Sequence, residues 1–153
     1  MAWARGRIPL VIEIKGDPEV SPGIEEKLID LVHQHRILDE VIVISFHHTA
    51  VKRAKELEPG LATGILYSGR LVDTTGAARA ARADSVRPQW SYWTRELVDE
   101  VHAAGLTASA WVVNSEARAE QLVNMGIDSI GSDYPDRLCT YLERAGRRWP
   151  AAR

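Results

Sequence analysis

Short β-branched runs alternate along this chain with stretches whose apolar residues recur every three or four positions, and Gly, Pro, Asp and Ser stand at the borders. The alternation predicts strands at Leu10 to Lys15, Glu40 to Ser45, Ala62 to Leu66, Ser85 to Arg87, Thr107 to Val113 and Ser129 to Ser132. Helices are predicted at Ile24 to Arg36, Thr49 to Leu57, Thr75 to Arg82, Arg95 to Ala104, Glu116 to Met125 and Pro135 to Ala145. Ser21 before Pro22 reads as a helix cap with proline at the first helical position, and Gly105 and Gly126 stand where a left-handed C-terminal turn favours glycine. Ile24, Leu28, Leu31 and Val32 form one apolar stripe, and Leu97, Val98 and Val101 another; both predict core.

Six successive βα units with near-continuous apolar strands predict a parallel sheet flanked by helices. Such a sheet closes as a (β/α)8 barrel or stays open and doubly wound. A complete barrel takes about 250 residues, and this chain has 153, forming one domain over residues 1–153.

One strand is unusual. In Leu10-Val11-Ile12-Glu13-Ile14-Lys15-Gly16 the period of two puts Val11, Glu13 and Lys15 on one face and Leu10, Ile12 and Ile14 on the other. Taking a carboxylate out of water costs several kcal/mol unless a cation or hydrogen bonds compensate. A metal ion, an anionic substrate or mutual Glu13–Lys15 pairing all satisfy that requirement.

Composition narrows the field. The net charge is −2 and the pI about 6.2, which makes no electrostatic case for nucleic acid or an anionic membrane. The basic group Arg144, Arg147, Arg148 and Arg153 reads as a solvated tail. The apolar runs are of strand length, far short of the roughly 20 residues that span a bilayer, and no hydrophobic signal segment follows Met1. Cys139 is the single cysteine, so an intrachain disulfide is excluded and a cytoplasmic location is expected.

Four segments carry a resemblance. Leu10-Val-Ile-Glu-Ile-Lys-Gly16, Val43-Ile-Ser-Phe46, Trp111-Val-Val-Asn114 and Gly126-Ile-Asp-Ser-Ile-Gly-Ser-Asp-Tyr-Pro135 resemble, in order and spacing, motifs of the glycerophosphodiester phosphodiesterases. The likeness runs from about residue 3 to residue 143. It implies a (β/α)8 barrel of the TIM type, present here as an incomplete barrel of six βα units. The implied activity is metal-dependent hydrolysis of small-molecule glycerophosphodiesters to glycerol 3-phosphate and an alcohol, with Ca2+ or Mg2+ as cofactor. By the same resemblance the first strand here corresponds to the family's third. The His-Arg-Gly and Glu-x-Asp motifs of its first two strands, and a second catalytic histidine, have no counterpart before Glu13, and Ala2-Trp3-Ala4-Arg5 reads as the tail of an interrupted helix.

Carried over residue by residue, the resemblance implies that Glu13 is a metal ligand, that Lys15 is the catalytic cation near the phosphate, and that Phe46 and Trp111 line the substrate pocket. Each role is chemically apt. A hard divalent ion takes carboxylate oxygens and polarises a phosphoryl group, an ammonium offsets charge growing on phosphate oxygens, and aromatic walls suit a glycerol moiety. The family's usual Trp-Thr-Val-Asn is Trp111-Val112-Val113-Asn114 here, which removes a hydroxyl and keeps the aromatic. Ser132 stands where the family commonly has Thr and Gly131 replaces a β-branched residue, so the last strand is expected to be loose.

Other chemistry-bearing residues read as structural. Asn114 and Asp133 are expected to cap the helices that follow them, His47 and His48 to belong to a polar loop before a helix, and His33, His35 and His102 to have solvated or packing roles. Trp90, Tyr92 and Trp93 form either a lid or a satellite core. Three functions follow: part of a working phosphodiesterase, a non-catalytic ligand- or partner-binding remnant, or a subunit that completes its barrel by association. Open sheet edges predict a homo-oligomer that covers them, and an isolated chain without the missing histidines and carboxylates is expected to hydrolyse substrate negligibly.

Overall fold

A computed structural model of the chain describes residues 1–15 and 21–146. Gly16 of the opening motif and Arg147, Arg148 and Arg153 of the basic tail lie outside the described residues. The elements run β1 (Leu10–Glu13), α1 (Ile24–His35), β2 (Val41–Ser45), α2 (His48–Leu57), β3 (Ala62–Tyr67), α3 (Thr74–Ala80), β4 (Ser85–Pro88), α4 (Arg95–Ala103), β5 (Thr107–Ala110), α5 (Glu116–Met125), β6 (Ser129–Ile130) and α6 (Pro135–Arg144).

The strands form one six-stranded sheet in the order β1-β2-β3-β4-β5-β6, and every neighbouring pair is parallel. A doubly wound sheet reverses its strand order at a switch point; this one never does. The helices therefore all pack on one face, and the sheet curls into a half-barrel, the incomplete (β/α) barrel that the sequence predicts.

Two apolar clusters hold the helices to that face. One joins Val32 and Ala54 of α1 and α2 to Ile14, Val41 and Val43, and the other joins Val98, Val101 and Leu122 of α4 and α5 to Ile65, Val86 and Ala108. Most of the predicted stripes are confirmed. Leu31 is the exception, at 42% exposed, while Ile29 is buried. At 100° per residue Leu28, Ile29 and Val32 span one narrow face, and Leu31 lies outside it.

The amino ends of the strands carry a repeated staple. Asp84, just before β4, accepts the backbone N–H of Thr63 in β3 (2.8 Å), and Lys55 from α2 donates to the same carboxylate (2.8 Å). Asp128, just before β6, accepts the backbone N–H of Ala108 in β5 (2.7 Å), and His102 from α4 stands 2.9 Å away. In each case one carboxylate ties a strand to its neighbour and to an outer helix.

Some predicted ends shift. Ser21 and Pro22 do not start α1; they form a turn with Gly23 (φ 76°), whose geometry places Ile24 N–H on the Ser21 carbonyl (3.3 Å). Residues 2–7 are turns rather than a helix tail. Gly126 (φ 91°) closes α5 as predicted, in the left-handed region that glycine enters at no steric cost. Beyond Ala110 and Ile130 the predicted fifth and last strands continue only as isolated contacts, such as Val113 N–H to the Gly131 carbonyl (2.8 Å).

Candidate functional site

The inner face of the half-barrel encloses an open cavity of about 540 Å3, and Glu13, Lys15, Phe46, Arg87 and Trp111 all line it. Strand alternation builds this lining. Val11, Glu13 and Lys15 turn inward, while Leu10, Ile12 and Ile14 join the core on the helix side. Lys15 Nζ lies 2.9 Å from the Glu13 carboxylate, with the lysine side chain 77% exposed and that of Glu13 26%. So solvated a pair contributes little to stability, since exposed ion pairs are worth roughly 0–1 kcal/mol. The fold therefore does not account for the pair by its stability.

Phe46, just past β2, meets Trp111, just past β5, edge to face with centroids 5.4 Å apart. Two strands separate β2 from β5 in the sheet, so the contact spans the hollow. The Trp111 indole N–H donates to the Arg87 carbonyl (2.6 Å), which fixes the ring against β4.

Arg87 itself was not singled out by the sequence reading. Its signal is the one that exposes Glu13: a charge between two apolar residues, Val86 and Pro88, in a strand. Its Nε donates to Ser85 Oγ (3.0 Å) and Nη1 to Ser109 Oγ (3.2 Å), and Ser129 Oγ lies 2.6 Å from Ser109 Oγ. Burial holds the guanidinium below its usual basic range.

The remaining candidates resolve into structural roles. His48 is the first residue of α2 rather than a loop residue, and its Nε2–H donates to the Leu66 carbonyl (2.9 Å). His33 and His102 face Glu58 and Asp128, each at 2.9 Å. Asn114 and Asp133 cap no helix: Asn114 Nδ2 donates to Asp133 (2.8 Å) while its Oδ1 accepts the Asp133 N–H (3.0 Å), so the pair buckles the loop after β5 to the loop after β6. The Asn114 amide and the Asp133 carboxylate are spent on this pairing, and the N-cap residues of α5 and α6, Ser115 and Tyr134, make no side-chain cap bond. Of the aromatic cluster, Trp93 is buried and donates to the Ser109 carbonyl (3.1 Å), and Arg118 stacks over Trp90 at 4.7 Å. Trp93 belongs to the core beneath α4, and Trp90 packs against it.

Glu13 is a single carboxylate, and among the described residues no three His, Cys, Asp or Glu side chains gather where they could hold a metal ion. A hard divalent cation takes six or more oxygens, so the described residues do not by themselves make a metal centre.

Comparison with known proteins agrees with this architecture. The chain is 32% identical over 135 residues to a glycerophosphodiester phosphodiesterase of Caldanaerobacter subterraneus subsp. tengcongensis, covering 88% of the chain and 56% of the relative. It is 29% identical to a glycerophosphodiester phosphodiesterase of Bacillus altitudinis, covering 87% and 55%. Among solved structures, an Oleispira antarctica phosphodiesterase in complex with the product sn-glycerol-3-phosphate superimposes with a TM-score of 0.81 at 24% identity, over 88% of this chain and 55% of that one. The chain thus spans little more than half the length of the relatives it matches. The model of the glycerophosphoryl diester phosphodiesterase family matches residues 11–137, and the chain belongs to that family.

Proposed function

We propose that this chain supplies one side of the site of a phosphoric diester hydrolase that splits glycerophosphodiesters into sn-glycerol 3-phosphate and an alcohol. The observation that carries the reading is convergence: Glu13, Lys15, Phe46 and Trp111, scattered over about a hundred positions, line one cavity. They stand at or just past the carboxyl ends of β1, β2 and β5, where barrel enzymes build their sites.

In this reading the Lys15 ammonium, the most exposed charge of the cavity pair, turns from Glu13 to a phosphate oxygen and offsets the charge that grows there during cleavage. Phe46 and Trp111, packed edge to face against each other, present one aromatic wall to the glycerol carbons. Glu13 would give one carboxylate oxygen to a divalent cation, Ca2+ or Mg2+. Bound there, such an ion would polarise the phosphoryl group.

A cytoplasmic setting and a homo-oligomer that covers the free edges of β1 and β6 belong to the same proposal. The first is supported by the single cysteine, and no helix among the described residues is long and apolar enough to cross a membrane. The second is supported by the position of both strands at the ends of the sheet.

Calorimetric titration of the chain with sn-glycerol 3-phosphate tests the reading. The expected result is saturable binding that Lys15→Met and Trp111→Ala each weaken at least about fivefold, consistent with the loss of one charged or aromatic contact of roughly 1 kcal/mol or more. Folded wild-type chain that fails to bind, or variants that bind as tightly as wild type, would overturn it.

A further inference from the structure

We propose that Arg87, held by Ser85 and Ser109, is a second anion-binding point in the cavity, separate from Lys15, and that it takes a tetrahedral oxyanion such as phosphate. The inference extends the functional reading, resting on it only for the identity of the natural ligand.

The cavity carries an unbalanced charge. Glu13 is its one carboxylate among the described residues, and Lys15 stands against that carboxylate at 2.9 Å. Arg87 has no carboxylate within ion-pair distance among the described residues: its bonds go to two neutral hydroxyls. A guanidinium carries five N–H donors, so two bonds leave three for a ligand. Cations are rarely left buried without a counter-charge, because desolvation is otherwise uncompensated. The depressed basicity of Arg87 reports that same desolvation.

The surroundings are shaped to hold the side chain in place. On β3, Gly64 carries no side chain where one would collide: an added Cβ would lie 2.3 Å from Ser85 Oγ and 2.8 Å from Arg87 Nε. The guanidinium thus lies on bare backbone, steadied from the other side by Ser109, which is itself tied to Ser129. Trp111 closes the arrangement by bonding the Arg87 carbonyl. A planar fork fixed at Nε and Nη1 presents its remaining donors in the geometry that suits bidentate oxyanion recognition.

The test is calorimetry of the full chain with inorganic phosphate at constant ionic strength, with acetate as a carboxylate arm. Wild type is expected to bind phosphate saturably and more tightly than acetate. Arg87→Gln should weaken phosphate binding at least about tenfold, as loss of a charge-assisted hydrogen bond implies, and Arg87→Lys should fall between. Circular dichroism verifies folding, and if Arg87→Gln does not fold, Arg87→Lys decides. Equal phosphate affinity in wild type and the folded Arg87 variants, or no saturable phosphate binding by wild type, overturns the proposal. If Lys15→Met abolishes phosphate binding while the Arg87 variants leave it intact, the Arg87 inference fails and the functional reading survives.

Discussion

Phe46 and Trp111 touch edge to face at 5.4 Å although their strands are separated by two others, so the sheet is curved enough for side chains on β2 and β5 to meet across its hollow. A flat sheet spaces strands about 4.8 Å apart, which would keep strands three places apart well beyond such a contact. The two rings are unequal partners. Phe46 is 46% exposed, whereas Trp111 is half-buried and hydrogen-bonded to the Arg87 carbonyl. We expect Phe46→Ala to cost under about 1 kcal/mol and Trp111→Ala about 2–3 kcal/mol. The double variant should show a coupling of about 0.5–1.5 kcal/mol. Urea unfolding of the single and double variants checks this, and zero coupling would mean that the rings do not meet in solution.

Gly64 should tolerate no side chain. Its Cβ would meet Ser85 and Arg87 inside van der Waals distance, so Gly64→Ala is expected to destabilise by about 1–3 kcal/mol. Gly64→Ala combined with Arg87→Ala should recover part of that loss, because the guanidinium is then gone. Thermal unfolding of both variants measures the recovery.

The buried Tyr67 hydroxyl makes no hydrogen bond of ordinary geometry; burial, opposed by the nearby Thr74 hydroxyl and helped by the charge of Glu100, pushes its pKa up. A raised folded-state pKa means stability that is fully present below the unfolded value of about 10 and is lost as the pH rises above it. Tyr67→Phe should be neutral or stabilising by up to about 1 kcal/mol at neutral pH and should blunt the alkaline decline. Denaturant melts from pH 8 to 11 test both statements.

The paired staples make a prediction of equivalence. Asp84→Ala frees the Thr63 N–H and leaves Lys55 only the Leu61 carbonyl, and Asp128→Ala frees the Ala108 N–H. Each should cost about 1–2 kcal/mol, discounted for partial exposure of the carboxylates. Ligand affinity should be unchanged, since both residues stand at the strand ends opposite the cavity mouth. A large loss of phosphate binding in either folded variant would show that the two ends of the half-barrel are coupled.

Much of the fold was legible because β1 and β2 are β-branched runs of the right length between turn residues, and because period-two alternation put Glu13 and Lys15 on one shared face. The ends were less legible. Beyond Ala110 the chain leaves the ladder as Trp111 turns to the Arg87 carbonyl, a tertiary contact that no local propensity encodes. Pro22-Gly23 forms a turn where the residue types favour a capped helix, because the backbone closes on Ser21 instead. Asn114 and Asp133 looked like helix caps, and only folding brings them together. Arg87 was missed because its significance lies in what surrounds it: the vacancy at Gly64 and the hydroxyls of two neighbouring strands.

The most direct measurement is hydrolysis of glycerophosphocholine by the purified chain with Mg2+ or Ca2+. With one carboxylate in the cavity and no metal-holding cluster among the described residues, choline release indistinguishable from buffer is expected. Robust turnover abolished by Glu13→Gln would contradict it and show that the chain assembles a complete site.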